Sequence, residues 1–96
     1  MTAPAIGVLT LHIQVEESHS LKEKRHVVKS LKDRLRARFN VSVAEIDGLD
    51  SWQHSVVAAV TVSGDRVRAT QILSAVEAHA ADVLGGALTA SNVEWL

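Results

Sequence analysis

The chain has 96 residues, 47% of them apolar, no cysteine and a net charge of −1. That length supports one domain, residues 1–96, around one two-layer core, and the lack of cysteine excludes disulfides, thiolate zinc sites and cysteine nucleophiles. No apolar run approaches the roughly 20 residues that span a bilayer, and the opening MTAPAIG lacks the basic and long apolar regions of a secretory signal, so the expectation is a cytoplasmic protein without membrane contact.

The chain opens on an alternating segment from Ile6 to Val15. Leu9, Leu11, Ile13 and Val15 share one face, and Val8, Thr10, His12 and Gln14 share the other, the period-two pattern of a strand with one face on a core. After a polar connection, Ser20 stands three residues before Glu23. This is a capping-box spacing, in which the serine oxygen accepts from the third helical N–H and the glutamate reaches back to the serine N–H. Leu21, Val28, Leu31, Leu35 and Phe39 then recur at helical spacing, predicting a helix to about Phe39 that stops at Asn40, a residue tolerant of left-handed geometry.

Val41 to Asp47 reads as a second strand of mixed parity, Gly48 to Gln53 as a loop, and Ser55 to Ser63 as a third strand. Val67, Ile72, Leu73, Val76 and Ala80 mark a second amphipathic helix, broken at Gly85 and Gly86, and a short fourth strand is expected around Asn92 to Trp95. The order βαββαβ predicts an α+β, ferredoxin-like fold: a four-stranded antiparallel sheet with two helices on one face. The other face, expected to hold Val8, Thr10, Val57, Ala59 and Thr61, is too apolar to stand comfortably in water, so a homodimer closing it is expected.

The near-neutral total hides a polarised chain. Lys22, Lys24, Arg25, Lys29, Lys32, Arg34, Arg36 and Arg38 all lie in the first helix against only Glu23 and Asp33; the rest of the chain has nine acids against Arg66 and Arg68. At about 100° per residue, Lys22, Arg25, Lys29, Lys32 and Arg36 fall within an arc of about 80° beside the apolar stripe. Such a row suits a phosphate backbone; it also suits a solvated flank whose long stems cover the core edge. Lys24 falls inside the apolar arc, where a lysine is costly unless it snorkels or meets an acid. With Ser20, Lys22 and Arg25 it would form an anion pocket at the helix N-terminus.

The stretch HSLKEKRHVVKSLKDRLRARFNVSVAE, His19 to Glu45, resembles the YlxP-like family of small bacterial proteins, a domain of unknown function; the likeness continues through Trp52, Gln53 and the valine-rich strand. The resemblance implies a ferredoxin-like fold and an association with translation, because family members tend to be encoded beside translation and ribosome-maturation factors. It supplies no active site.

The remaining chemistry-bearing residues form no catalytic constellation, and no cofactor is implied. His12 and His54 lie on strands expected to be close, a chance pair for a metal without the spacing of a zinc set. Glu45 and Asp47 are read as sharing a strand face, as partners for the basic helix or as an acid–base pair. Trp52 stands in an acidic loop, where it either packs over the sheet edge or anchors a protein partner. No aromatic lies on the inner strands to stack bases as RNA-recognition motifs do. The functional expectation is a non-catalytic RNA- or ribosome-associated module using the basic helix; the alternatives are a dimeric protein adaptor or a small-anion-binding domain.

Overall fold

The computed structural model describes residues 3–96. Its elements are β1 (Ala5–Gln14), α1 (Leu21–Arg38), β2 (Ser42–Asp47), β3 (His54–Ser63), α2 (Arg66–Leu84), a single 3-10 turn (Gly85–Ala87) and β4 (Leu88–Trp95). The strands form one antiparallel sheet in the order β2-β3-β1-β4, the ferredoxin-like arrangement. Both helices pack on one face. Leu9, Leu11 and Ile13 of β1, Val43 of β2, and Val57 and Ala59 of β3 meet Val28, Leu31 and Leu35 of α1 and Leu73, Val76 and Ala80 of α2. Among the described residues, no helix is long and apolar enough to cross a membrane.

The strand register corrects the expected composition of the open face. Leu9 lies opposite Ala59 and Leu11 opposite Val57, so Val57, Ala59 and Thr61 belong to the helix-covered side and are buried. The open face instead carries Val8, Thr10 and His12 of β1 opposite Val60, Ala58 and Val56 of β3. Ser42 and Ala44 flank it on one side, and Ala90, Asn92 and Glu94 on the other. Both parities of β3 are apolar, so alternation alone could not choose between them; the centre of the face remains valine- and alanine-rich either way.

Local chemistry sets the helix ends. The Ser20 hydroxyl accepts from the Glu23 N–H at 3.1 Å, while the Glu23 carboxylate accepts from the N–H of His19 at 2.8 Å, one residue earlier than the expected serine. At the other end α1 stops at Arg38 because Phe39 turns extended, with φ −128°. Among the described residues no residue other than glycine has positive φ, so the expected left-handed stop at Asn40 does not occur. Asp65 caps α2 by accepting from Val67, and Gly85, at φ +55°, ends it. Strand β4 is eight residues long rather than the expected four: Thr89, Ser91 and Asn92 are polar because this edge strand is exposed, not because the strand has ended.

The cap makes a direct prediction. Ser20→Ala should lower unfolding stability by about 1 kcal/mol and Ser20→Gly by only a few tenths, read as midpoint shifts in urea denaturation; a Ser20→Ala midpoint equal to that of the wild type would show that the hydroxyl does not cap α1.

Candidate functional site

Helix α1 lies alongside edge strand β2 and runs antiparallel to it. Near its C-terminal end, the Arg36 guanidinium donates to the carbonyl of Val43 at 2.6 Å. At its N-terminal end, the Lys24 ammonium donates to Glu45 at 2.8 Å and to the carbonyl of Gly48 at 2.7 Å. These contacts turn one flank of the helix outward over the sheet edge. Arg25, Lys29, Lys32 and Arg36 line a single shallow groove there, with Val28 at its floor and Asp33 and Glu45 beside it. Lys22 continues the row toward the helix start, beside Ser20, Arg25 and Lys29.

The five cations of the row are not equally available. Lys29 pairs with Asp33 at 2.7 Å, and Arg36 lies 3.9 Å from the same carboxylate. Both pairs are exposed, and exposed pairs contribute little and exchange readily. Lys29 holds the Asp33 carboxyl below its ordinary range by hydrogen bonding, helped by its charge and by Arg36 and Lys32. Among the described residues Lys22, Arg25 and Lys32 make no ion pair. Arg34 and Arg38 stand away from the groove, Arg38 with its guanidinium 5.9 Å from the ring centre of Phe39.

The anion pocket expected from Ser20, Lys22, Lys24 and Arg25 is not assembled. Lys24 has no exposed surface; its stem runs into the core, and its ammonium is committed to Glu45 and Gly48. It meets an acid instead of snorkelling past the helix end. Ser20 spends its acceptor on the helix cap. Lys22 and Arg25 remain exposed and belong to the row.

Glu45 is the residue whose role the sequence concealed. It sits opposite Val57 on the helix side of β2, with 12% of its side chain exposed, and also accepts from the buried Ser55 hydroxyl at 2.5 Å. Burial pushes its carboxyl up, but the hydrogen bonds from Lys24 and Ser55 and the ammonium charge outweigh this and hold it below its ordinary value. A bulge follows: Asp47, not Ile46, comes opposite Val56. Asp47 therefore leaves the face of Glu45 and accepts from the N–H of Gly48 at 2.8 Å, so the two carboxylates are not a pair. A lysine at an apolar helix position, facing a strand whose core parity also holds a glutamate, was the available clue.

The loop after β2 is held from both sides. Gly48, at φ +78°, makes the turn, and a Cβ there would lie 2.5 Å from the carbonyl oxygen of His54. Ser51 donates its N–H to Gly48 and its hydroxyl accepts from His54. The Gln53 amide donates to the carbonyls of Glu16 and Ser18, and its own carbonyl accepts from Val15. Trp52 is 58% exposed in this loop and does not pack over the sheet edge. His12 and His54 share the open face as diagonal neighbours, with Gln14 opposite His54. Among the described residues no three metal-ligating side chains converge.

Removing either partner of the buried pair should have unequal effects. Glu45→Ala strands an ammonium that cannot reach water and is expected to cost about 3 kcal/mol, whereas replacing both residues, Lys24→Met with Glu45→Leu, should cost less, the remainder coming from the Ser55 hydroxyl and Gly48 carbonyl left without these partners. Lys24→Met alone falls between, because Glu45 keeps Ser55 and some water. The folded carboxyl titrates below the unfolded one, so on acidification the unfolded chain takes up the proton first. The stabilisation is complete above the ordinary value of 4.5 and is lost as pH falls through the lower folded value. Denaturation against pH should show this acid loss in the wild type and a smaller one in the double variant; parallel profiles would contradict the pairing.

Residues 6–93 match the family described as "Protein of unknown function (DUF503)". The chain is 33% identical over 90 residues to the uncharacterized protein YlxP of Bacillus subtilis (strain 168), covering 94% of this chain and 98% of that protein. Among solved structures it resembles the de novo designed protein Foldit4, with a TM-score of 0.55, 13% identity and coverage of 98% of this chain and 94% of that one. It also resembles a dimeric ferredoxin-like protein of unknown function from Thermobifida fusca YX, with a TM-score of 0.54, 13% identity and coverage of 98% and 91%. At that identity the two structures speak to the fold, whereas the match over nearly the whole length settles the family: the chain belongs to the DUF503 family of proteins of unknown function.

Proposed function

We propose that this protein is a non-catalytic, homodimeric module that binds structured RNA, free or within ribosomal particles, through backbone phosphates on the outer flank of α1. The observation that carries the reading is the row Lys22, Arg25, Lys29, Lys32 and Arg36, turned outward over the β2 edge by the contacts of Lys24 and Arg36. Three members have no acidic partner among the described residues, and two share one exposed acid. Each phosphate that replaces such weak pairing or bulk water releases condensed counterions, the main source of backbone affinity. The row spans fourteen helical steps, about 21 Å at about 1.5 Å per residue, enough to follow several phosphates. No Phe, Tyr or Trp lies among the five cations, so the flank itself reads charge and shape.

Dimerisation rests on the open sheet face. Val56, Ala58 and Val60 centre it with Val8 and Thr10, and among the described residues no element covers that side. Four strands about 4.8 Å apart, with up to ten residues rising about 3.3 Å each, present roughly 600 Å². That is of the order of the ~800 Å² each partner buries in a stable complex. The related fold from Thermobifida fusca is itself described as dimeric. Pairing through this face leaves α1 on the outside of both copies, so the two basic rows stay available.

Two measurements test these readings. Binding to a labelled structured RNA should weaken steeply as salt rises, and charge reversal of Arg25, Lys29, Lys32 and Arg36 to Glu should abolish it at low salt; affinity unchanged by those substitutions would overturn the RNA reading, as would partners that survive nuclease treatment in the absence of any RNA binding. Sedimentation at tens of micromolar, a concentration set by interfaces of this size, should show a dimer that Val60→Asp converts to a folded monomer. A monomeric wild type would overturn the dimer.

A further inference from the structure

The basic row leads to an exposed aromatic. Strand β2 passes Arg36 at Val43 and Lys24 at Glu45 and Gly48, then enters the loop Gly48–Gln53 that carries Trp52. Followed from Arg36 toward Arg25, the groove therefore runs toward that loop. The loop is also bonded to the segment that precedes the helix, through Gln53 to Glu16 and Ser18 and through its carbonyl to Val15. Trp52 thus stands at the end of the molecule where Lys22 and Arg25 begin the row.

Its exposure is not a consequence of a loose loop. The turn is fixed at Gly48 by the buried Lys24 ammonium and by Ser51, and on the other side by the Ser51 hydroxyl and the Gln53 amide. A large apolar ring held outward by a loop anchored on both sides, at Gly48 and at Gln53, loses little conformational freedom when something stacks on it. The neighbouring charges define what that is. Asp47, just before the loop, and Asp50, within it, are exposed; they repel a phosphate there, whereas an uncharged nucleobase has no such conflict. The cations that accept phosphates lie on the adjoining helix.

We propose that Trp52 is a stacking platform for an unpaired RNA base whose adjoining phosphates lie on Arg25 and Lys22, an assignment that rests on the polyanion reading of α1 given above. The ligand class is accordingly an RNA with a loop, bulge or end beside a helical stem: the stem backbone lies along the groove and one splayed base reaches Trp52. Stacking on an aromatic is tolerant of base identity, so the site selects an unpaired position and not a sequence.

The chain has two tryptophans, which gives a clean probe. Trp95 packs near Gly7 with the Arg66 guanidinium 4.5 Å from its ring centre, so the Trp95→Phe variant leaves Trp52 as the sole emitter. Titration of that variant with a short RNA hairpin should quench its fluorescence in step with the rise in anisotropy of the labelled hairpin. Trp52→Ala should bind the hairpin about tenfold more weakly yet bind a fully paired duplex of similar length as the wild type does, with an unchanged circular dichroism spectrum. Hairpin binding with no quenching, and with equal affinity in Trp52→Ala, would overturn the stacking role and leave the helix reading intact. Absence of any RNA binding by the wild type would overturn both.

Discussion

One buried ion pair organises this molecule. Lys24 occupies an inward position of α1, and its charge is neutralised only because Glu45 comes from β2 on the same side of the sheet, with Ser55 and the Gly48 carbonyl completing its surroundings. An unpaired ammonium in that place would be very costly. The pair therefore accepts one placement of α1 against β2: a helix rotated by one residue would send Lys24 to solvent and leave Glu45 and Ser55 facing apolar side chains. Buried pairs of this kind add little net stability compared with apolar replacements; their effect here is to fix rotation and register.

Fixing that rotation separates the helix charges into distinct roles. Lys24 goes inside. Arg36 reaches across to an edge-strand carbonyl, which also covers part of an edge otherwise open to pairing with another chain. Lys22, Arg25 and Lys32 remain outside without partners among the described residues, and Lys29 shares Asp33. The same contact that settles Lys24 holds Gly48 and so sets the loop that displays Trp52. Core, basic flank and loop are consequences of one arrangement, so a change at Glu45 would be felt at all three.

Much of the architecture was legible in the sequence because its signals are local. Alternation in β1, the Ser20 and Glu23 spacing, and the glycines after α2 each name an element, and the order βαββαβ then names the fold. The five-residue row on α1 follows from helical geometry alone. What escaped was non-local. Val56 through Val62 reads as apolar on both parities, so only pairing with β1 assigns Val57 and Ala59 to the core. The bulge before Asp47 cannot be seen in residue order, and it is what parts Asp47 from Glu45. Lys24 was visibly misplaced on the apolar arc, but its acid lies twenty-one residues away in another element. Trp52 was ambiguous because burial of a loop aromatic depends on what the fold brings against it.

The central claim is that folding divides the basic helix into an interior cation that positions it and an exterior row that binds RNA. Backbone amide chemical shifts of the uniformly labelled protein, followed during titration with a short RNA hairpin, test it most directly. The account predicts shifts concentrated from Lys22 to Arg36 and from Gly48 to Gln53, with Val8, Thr10 and Val60 on the open sheet face unmoved. Shifts centred on that sheet face, or none at all, would contradict it.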